Sequence, residues 1–124
     1  MTTISVATDR KRQLVDITEK VEEVLRGDGL AHVFVRHTTA ALTTADLDLG
    51  TDLDTLDALD AMTPRMHWRH PHEPEHFPDH LWAQIIGPSL SVPYVGGKLH
   101  LGTWQRLVLV ELDGANTREI VIYP

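Results

Sequence analysis

The sequence predicts an α+β fold built on antiparallel sheet with two or three helices. Three observations lead there. The last third reads as consecutive strands separated by glycine turns, helical periodicity is confined to short segments, and strands and helices do not alternate as a parallel sheet requires. A chain of 124 residues, 42% hydrophobic and 23% charged, fits one globular domain over 1–124.

The first strand is 2–7, where Thr, Ile, Ser and Val alternate. A second extended piece, 14–17, leads to Thr18, a candidate N-cap with Glu22 behind it. Val21, Val24 and Leu25 give this helix one apolar face, and Gly27 and Gly29 end it. Residues 31–36 alternate β-branched and aromatic residues with polar ones and form the next strand. Leu53, Leu56 and Leu59 recur at helical spacing opposite a run of aspartates, which predicts a helix over 51–61 that closes before Pro64. Four of the seven prolines and four of the eight histidines fall in 64–78, a loop. Asp79 caps a short helix, 80–86, ended by Gly87-Pro88. Strands follow at 89–93, 98–101, 104–111 and 118–123, with turns at Val95-Gly96-Gly97 and Asp113-Gly114.

Composition excludes whole classes of chemistry. With no cysteine there is no disulfide scaffold, thiol nucleophile or Cys-ligated zinc. Eleven Lys plus Arg against eighteen Asp plus Glu, a net charge of −7, argues against nucleic acid or acidic membrane as a partner. The N-terminus lacks the apolar run of a signal peptide, and no stretch approaches about 18 consecutive apolar residues. The expected compartment is the cytoplasm.

Four constellations carry candidate chemistry, each with a structural alternative. Arg36-His37-Thr38-Thr39-Ala40-Ala41-Leu42 follows a strand: it either projects side chains into a site or satisfies His37 with neighbouring hydroxyls. His67, His70, His72, His76 and His80 stand among carboxylates, and imidazole suits Zn, Ni, Cu or Fe. No H-E-x-x-H is present, and Pro78 argues against a shared helical face for His76 and His80. His67, His72 and His76 read as surface decoration, whereas His80 opens the apolar run Leu81-Trp82-Ala83 and points inward. The six aspartates from Asp46 to Asp60 read as a solvated helix face, with Asp54 kept as a candidate. Finally, Gly102-Thr103-Trp104-Gln105 offers amides, a hydroxyl and an indole N–H to a small polar ligand, or starts a strand with a core tryptophan.

In this order these pieces resemble the YjbQ family, whose members are often described as secondary thiamine-phosphate synthases. The signature is carried by Ser89, Val92, Gly97 and Gly102-Thr103-Trp104-Gln105-Arg106-Leu107. His37-Thr38-Thr39-Ala40-Ala41-Leu42, Trp68-Arg69-His70, Asp79-His80-Leu81, Glu111-Leu112-Asp113-Gly114 and Arg118 are similar to its other elements. Two departures stand out: Ala45-Asp46 where the family usually has Asn-Glu, and His76-Phe77-Pro78 where it usually has an Asn-Ala pair.

The resemblance implies a compact α+β fold with a large, mostly antiparallel sheet, a homotrimer, and a histidine-lined pocket near subunit boundaries. It implies a three-histidine site for zinc or another divalent metal at His37, His70 and His80, with an open position for water or substrate. The same residues without metal would make an anion pocket of protonated histidine and Arg118. Thr38, Thr39, Ser89, Gly97, Gly102, Thr103, Trp104, Gln105 and Arg118 become ligand-binding candidates for a small, phosphorylated molecule. The implied activity joins a hydroxymethylpyrimidine diphosphate to a thiazole phosphate, for which Mg²⁺ would balance the leaving diphosphate. Two alternatives use the same histidines. One is a metal-dependent hydrolase with His37, Glu111 or Asp54 in catalysis, and the other a metabolite-binding protein without turnover. Leu107–Val110 and Ile120–Ile122 are apolar on both faces, so either a helix layer or a second subunit must cover them.

Overall fold

The computed structural model describes residues 1–123. All eight strands pair antiparallel: β1 (Thr2–Ala7), β2 (Gln13–Asp16), β3 (Gly29–Val35), β4 (Ala40–Ala45), β5 (Ser89–Val95), β6 (Lys98–Leu99), β7 (Arg106–Glu111) and β8 (Thr117–Tyr123). They divide into a five-stranded sheet, β1-β8-β3-β5-β6, and a three-stranded sheet, β2-β7-β4. The helices are α1 (Thr18–Glu22), α2 (Thr51–Met62) and α3 (Phe77–Ile86), with a 3-10 turn at Pro74–His76 before α3. The predicted α+β class and antiparallel pairing hold.

Three layers result, and β7 lies in the middle one. Leu107 and Leu109 meet Val33, Ile120 and Ile122 of the larger sheet and Leu25 beyond α1, in the core between the sheets. Val108 and Val110, with Leu112 just after the strand, point the other way into a second core with Leu59 of α2 and Trp82 and Ala83 of α3. The helix layer therefore covers the far face of 107–110. That strand's apolar run is accounted for within one chain.

Several boundaries move for identifiable reasons. Local pattern does not mark β4, because Ala40-Ala41-Leu42-Thr43-Thr44-Ala45 is alanine-rich and alanine is a poor strand former. Register with β7 from Ala40↔Glu111 to Ala45↔Arg106 overrides that preference. Thr18 is not the N-cap of α1, which is Ile17 without a side-chain cap. The Thr18 hydroxyl instead accepts the Leu107 N–H at 2.9 Å and ties α1 to β7. The last helix begins at Phe77 rather than 80, since Pro78 falls in its first turn, where its missing N–H costs nothing. Asp79 does not cap that helix. It is buried in the first turn and paired with Lys11 at 2.7 Å and Arg12 at 2.8 Å.

The outer face of the five-stranded sheet has no covering layer among the described residues. It exposes Leu30, Phe34, Val95 and Tyr123. No helix of the described residues is long and apolar enough to cross a membrane.

Because Leu109 is fully buried in the middle layer, Leu109→Ala is expected to cost about 2–5 kcal/mol. Urea unfolding checks this; a loss below about 1 kcal/mol would contradict the central place of β7.

Candidate functional site

At one end of the inter-sheet core, a charge pair replaces the hydrocarbon. Arg118 of β8 and Glu111 of β7 are 2% and 0% exposed. Arg118 Nε donates to Glu111 Oε1 at 2.8 Å, and Nη2 donates to Oε2. The Thr8 hydroxyl donates to Oε1 at 2.7 Å and the Asp113 N–H to Oε2 at 3.0 Å. Nη2 also reaches the Thr39 hydroxyl at 2.9 Å and its carbonyl at 3.2 Å. Burial pushes the Glu111 carboxyl up, but the bonds from Arg118, Thr8 and Asp113 outweigh it and hold the group below its ordinary range.

This pair stands behind the wall of an open cavity of about 690 Å³, lined by His37, Thr38, Thr39, His80, Gln84 and Arg118 among others. Among the described residues, Arg118 Nη1 has no hydrogen-bond partner, so the fixed guanidinium keeps one nitrogen free. His37 Nε2 accepts the Glu119 N–H at 2.9 Å, which requires a neutral ring and leaves Nδ1–H as a donor. Burial and then the nearby Arg118 charge lower its pKa against the pull of Glu119 and Glu111. The expected protonated-histidine pocket is thus corrected: His37 is neutral, and Arg118 is the cation.

The histidines converge differently from the implied set. His70, His76 and His80 bring donor nitrogens within 4.8 Å of one another, with ring centres 4.7–5.7 Å apart. His37 is not in that group: among the described residues, His37, His70 and His80 do not come within that spacing of one another. His76, expected as loop decoration, takes its place. It immediately precedes α3, one turn before His80, and Pro78 does not separate the two because a proline in the first helical turn leaves the helix intact. Burial and then the neighbouring His76 and His70 lower the His80 pKa, favouring the neutral ring.

Other candidates stand elsewhere. Asp54 is exposed on α2, outside the cavity, because the apolar stripe Leu56 and Leu59 turns that aspartate to solvent. Glu111 is engaged on both oxygens by Arg118, Thr8 and Asp113, so its place is to orient the guanidinium rather than to accept a substrate proton. Gly102-Thr103-Trp104-Gln105 lines a separate cavity with Thr44, Ala45 and Asp46, at the opposite end of β4 from Thr39. Six residues at about 3.4 Å each put roughly 20 Å between those ends. Trp104 is 69% exposed rather than a core residue, and the Gln105 amide is used on Gly102 and Thr44. Gly97 forms the β5–β6 turn at φ 76°, which favours glycine, and Ser89 is exposed at the start of β5. Gln84, Lys11 and the partnering role of Asp113 were not legible. Only the i, i+4 spacing of His76 and His80 could have indicated the cluster.

Fold and site together define a small α+β protein with an open cavity backed by a buried arginine and edged by His37 and His80. Nearly its whole length is matched by known proteins. The family pattern described as UPF0047 protein YjbQ-like matches residues 2–123, and the chain belongs to the YjbQ/UPF0047 family. A UPF0047 protein of Mycobacterium bovis, Mb2586c, is 40% identical over 115 residues, covering 90% of this chain and 89% of the relative. One from Archaeoglobus fulgidus is 34% identical, covering 96% of each. The crystal structure of a conserved hypothetical protein from Thermus thermophilus superposes with a TM-score of 0.90 at 34% identity, covering 99% of this chain and 98% of that one. A YjbQ/UPF0047 structure from Clostridium acetobutylicum gives 0.89 at 31% identity, again covering 99% and 98%.

Two variants test the charge pair. Arg118→Met strands a buried carboxylate and should cost about 3–5 kcal/mol at neutral pH. The Glu111 carboxyl titrates lower in the folded than in the unfolded chain, so its stabilisation is present above the ordinary 4.5 and is lost as pH falls through the lower folded value. Glu111→Gln should therefore be less stable at pH 7 yet lose less on further acidification than the parent. Urea midpoints between about pH 7 and 2.5 check this, and parallel acid limbs would refute it.

Proposed function

We infer that the protein is a small-metabolite enzyme whose cavity holds a phosphorylated substrate, with a thiamine-phosphate synthase-like transfer as the reaction class. The observation that carries this is Arg118: it lines a cavity of about 690 Å³, its guanidinium is fixed by Glu111 and Thr39, and among the described residues its Nη1 has no hydrogen-bond partner. A guanidinium already immobilised loses little entropy on meeting a phosphate, and it pairs with one in a directed way. The Thr38 side chain and the His37 Nδ1–H add neutral donors at the same wall.

In the proposed transfer, the thiazole nitrogen attacks the methylene carbon of the pyrimidine diphosphate. The new C–N bond forms as the C–O bond to diphosphate breaks and the diphosphate leaves with its electron pair. Arg118, Thr38 and His37 hold the departing charge. Among the described residues no carboxylate lines the cavity, so Mg²⁺ would enter on the diphosphate rather than be held by the chain.

A homotrimer in the cytoplasm completes the reading. Its support is the uncovered outer face of the five-stranded sheet, where Phe34, 46% exposed, also lines the cavity. A neighbouring subunit on that face would bury the apolar side chains and narrow the cavity mouth.

Incubating the protein with both substrates and Mg²⁺ should yield thiamine phosphate above background. His37→Ala should raise KM for the diphosphate by about tenfold, the effect of about 1.4 kcal/mol of lost hydrogen bonding. No product from a folded oligomer rejects the transferase, and thermal stabilisation by the substrates without turnover would assign a binding protein instead. Light scattering at micromolar concentration should give three times the chain mass, reduced by Phe34→Asp; a monomeric mass for the parent contradicts the trimer.

A further inference from the structure

We propose that His70, His76 and His80 form a site for one first-row divalent transition metal, zinc above all. In this site His76 is a ligand held in place by Asp113, and His37 is not a ligand. The site meets the cavity at His80 but does not include Arg118. It also differs from the ligand set the family resemblance implies, since His76 takes the place of His37.

Zn–N bonds of about 2.0–2.1 Å set tetrahedral ligand nitrogens about 3.3 Å apart. The three donor nitrogens here lie within 4.8 Å of one another, so they need to draw in by at most about 1.5 Å, within the reach of side-chain rotation. His76 and His80 are four residues apart at the start of α3, a spacing that puts two side chains on one face. Their rings meet edge to face at 4.8 Å. His70 comes from the proline-rich loop, where Trp68 packs on Phe77 at 5.0 Å and returns the chain to the helix.

A second observation concerns how His76 is held. Its Nε2 lies 2.8 Å from Asp113 Oδ2 and 3.3 Å from Asp79 Oδ2. Donation of Nε2–H to Asp113 leaves Nδ1 as the nitrogen with a free lone pair, the carboxylate–histidine arrangement that fixes metal-binding imidazoles. Those carboxylates are themselves committed. Asp113 accepts from Lys11 at 2.6 Å, and Asp79 from Lys11 and Arg12. They therefore serve as partners of His76 rather than as ligands. Three nitrogens leave a fourth position for water or substrate, and His80 belongs to both the cluster and the cavity. An ion there would stand at the cavity's edge.

The test uses full-length protein without an affinity tag, stripped with chelator and titrated with Zn²⁺ and Co²⁺. One ion per chain should bind, and Co²⁺ should show the intense visible bands of a four-coordinate site. His76→Asn should weaken Zn²⁺ at least tenfold. Asp113→Asn should weaken it by about 10–100-fold. His37→Ala should change it less than about threefold. Thermal melts confirm that each variant is folded, and His70→Gln gives an independent check if His76→Asn is not. No stoichiometric metal in the parent overturns the proposal. So does a loss in His37→Ala as large as in His76→Asn, or unchanged affinity in folded His76→Asn or His70→Gln. None of these outcomes depends on the transferase assay, so the two readings fail separately.

Discussion

Taking a guanidinium and a carboxylate out of water costs several kcal/mol per ion, and the pair holds only where hydrogen bonds saturate both groups. In this chain Arg118 and Glu111 meet that condition by drawing on distant segments. Thr8 follows β1, Thr39 precedes β4, and Asp113 opens the turn between β7 and β8. The pair joins the two sheets, because Glu111 ends β7 in one and Arg118 begins the returning strand in the other. The cavity wall at Arg118 and the segments carrying Thr8, Thr39 and Asp113 all meet at this one point.

The same network reaches the histidines. Asp113 gives its backbone N–H to Glu111, while its side chain meets Lys11 and His76. A single short turn thus links the buried pair, the N-terminal segment and the start of α3. Arg118 and the histidine cluster are consequently tied to each other through the backbone and side chain of one turn residue, Asp113.

Much of the architecture was readable from local pattern. The alternation in β1, β3 and β8, the leucine spacing of α2 and the glycine turns follow rules that act over a few residues. Where the structure departs from that pattern, longer-range forces had won. Pairing with β7 made a strand of the alanine-rich 40–45, and a hydroxyl expected to cap α1 bonded to β7 instead. Asp79, expected as a cap, was claimed by Lys11 and Arg12 from nearly 70 residues away.

The site divides along the same line. Residue types alone excluded thiol and basic-surface chemistry, and the resemblance of short motifs to the family singled out His37, Thr38, Thr39, His70, His80 and Arg118. Those conclusions follow from composition and from short motifs, which are properties of neighbours in the chain. Which of them meet is a property of chain reversals that no spacing encodes. Pairing along β4 held Trp104 away from the cavity, and a neutral hydrogen bond to Glu119 took His37 out of the cluster. The first turn of α3, folded back against Asp113, brought His76 in.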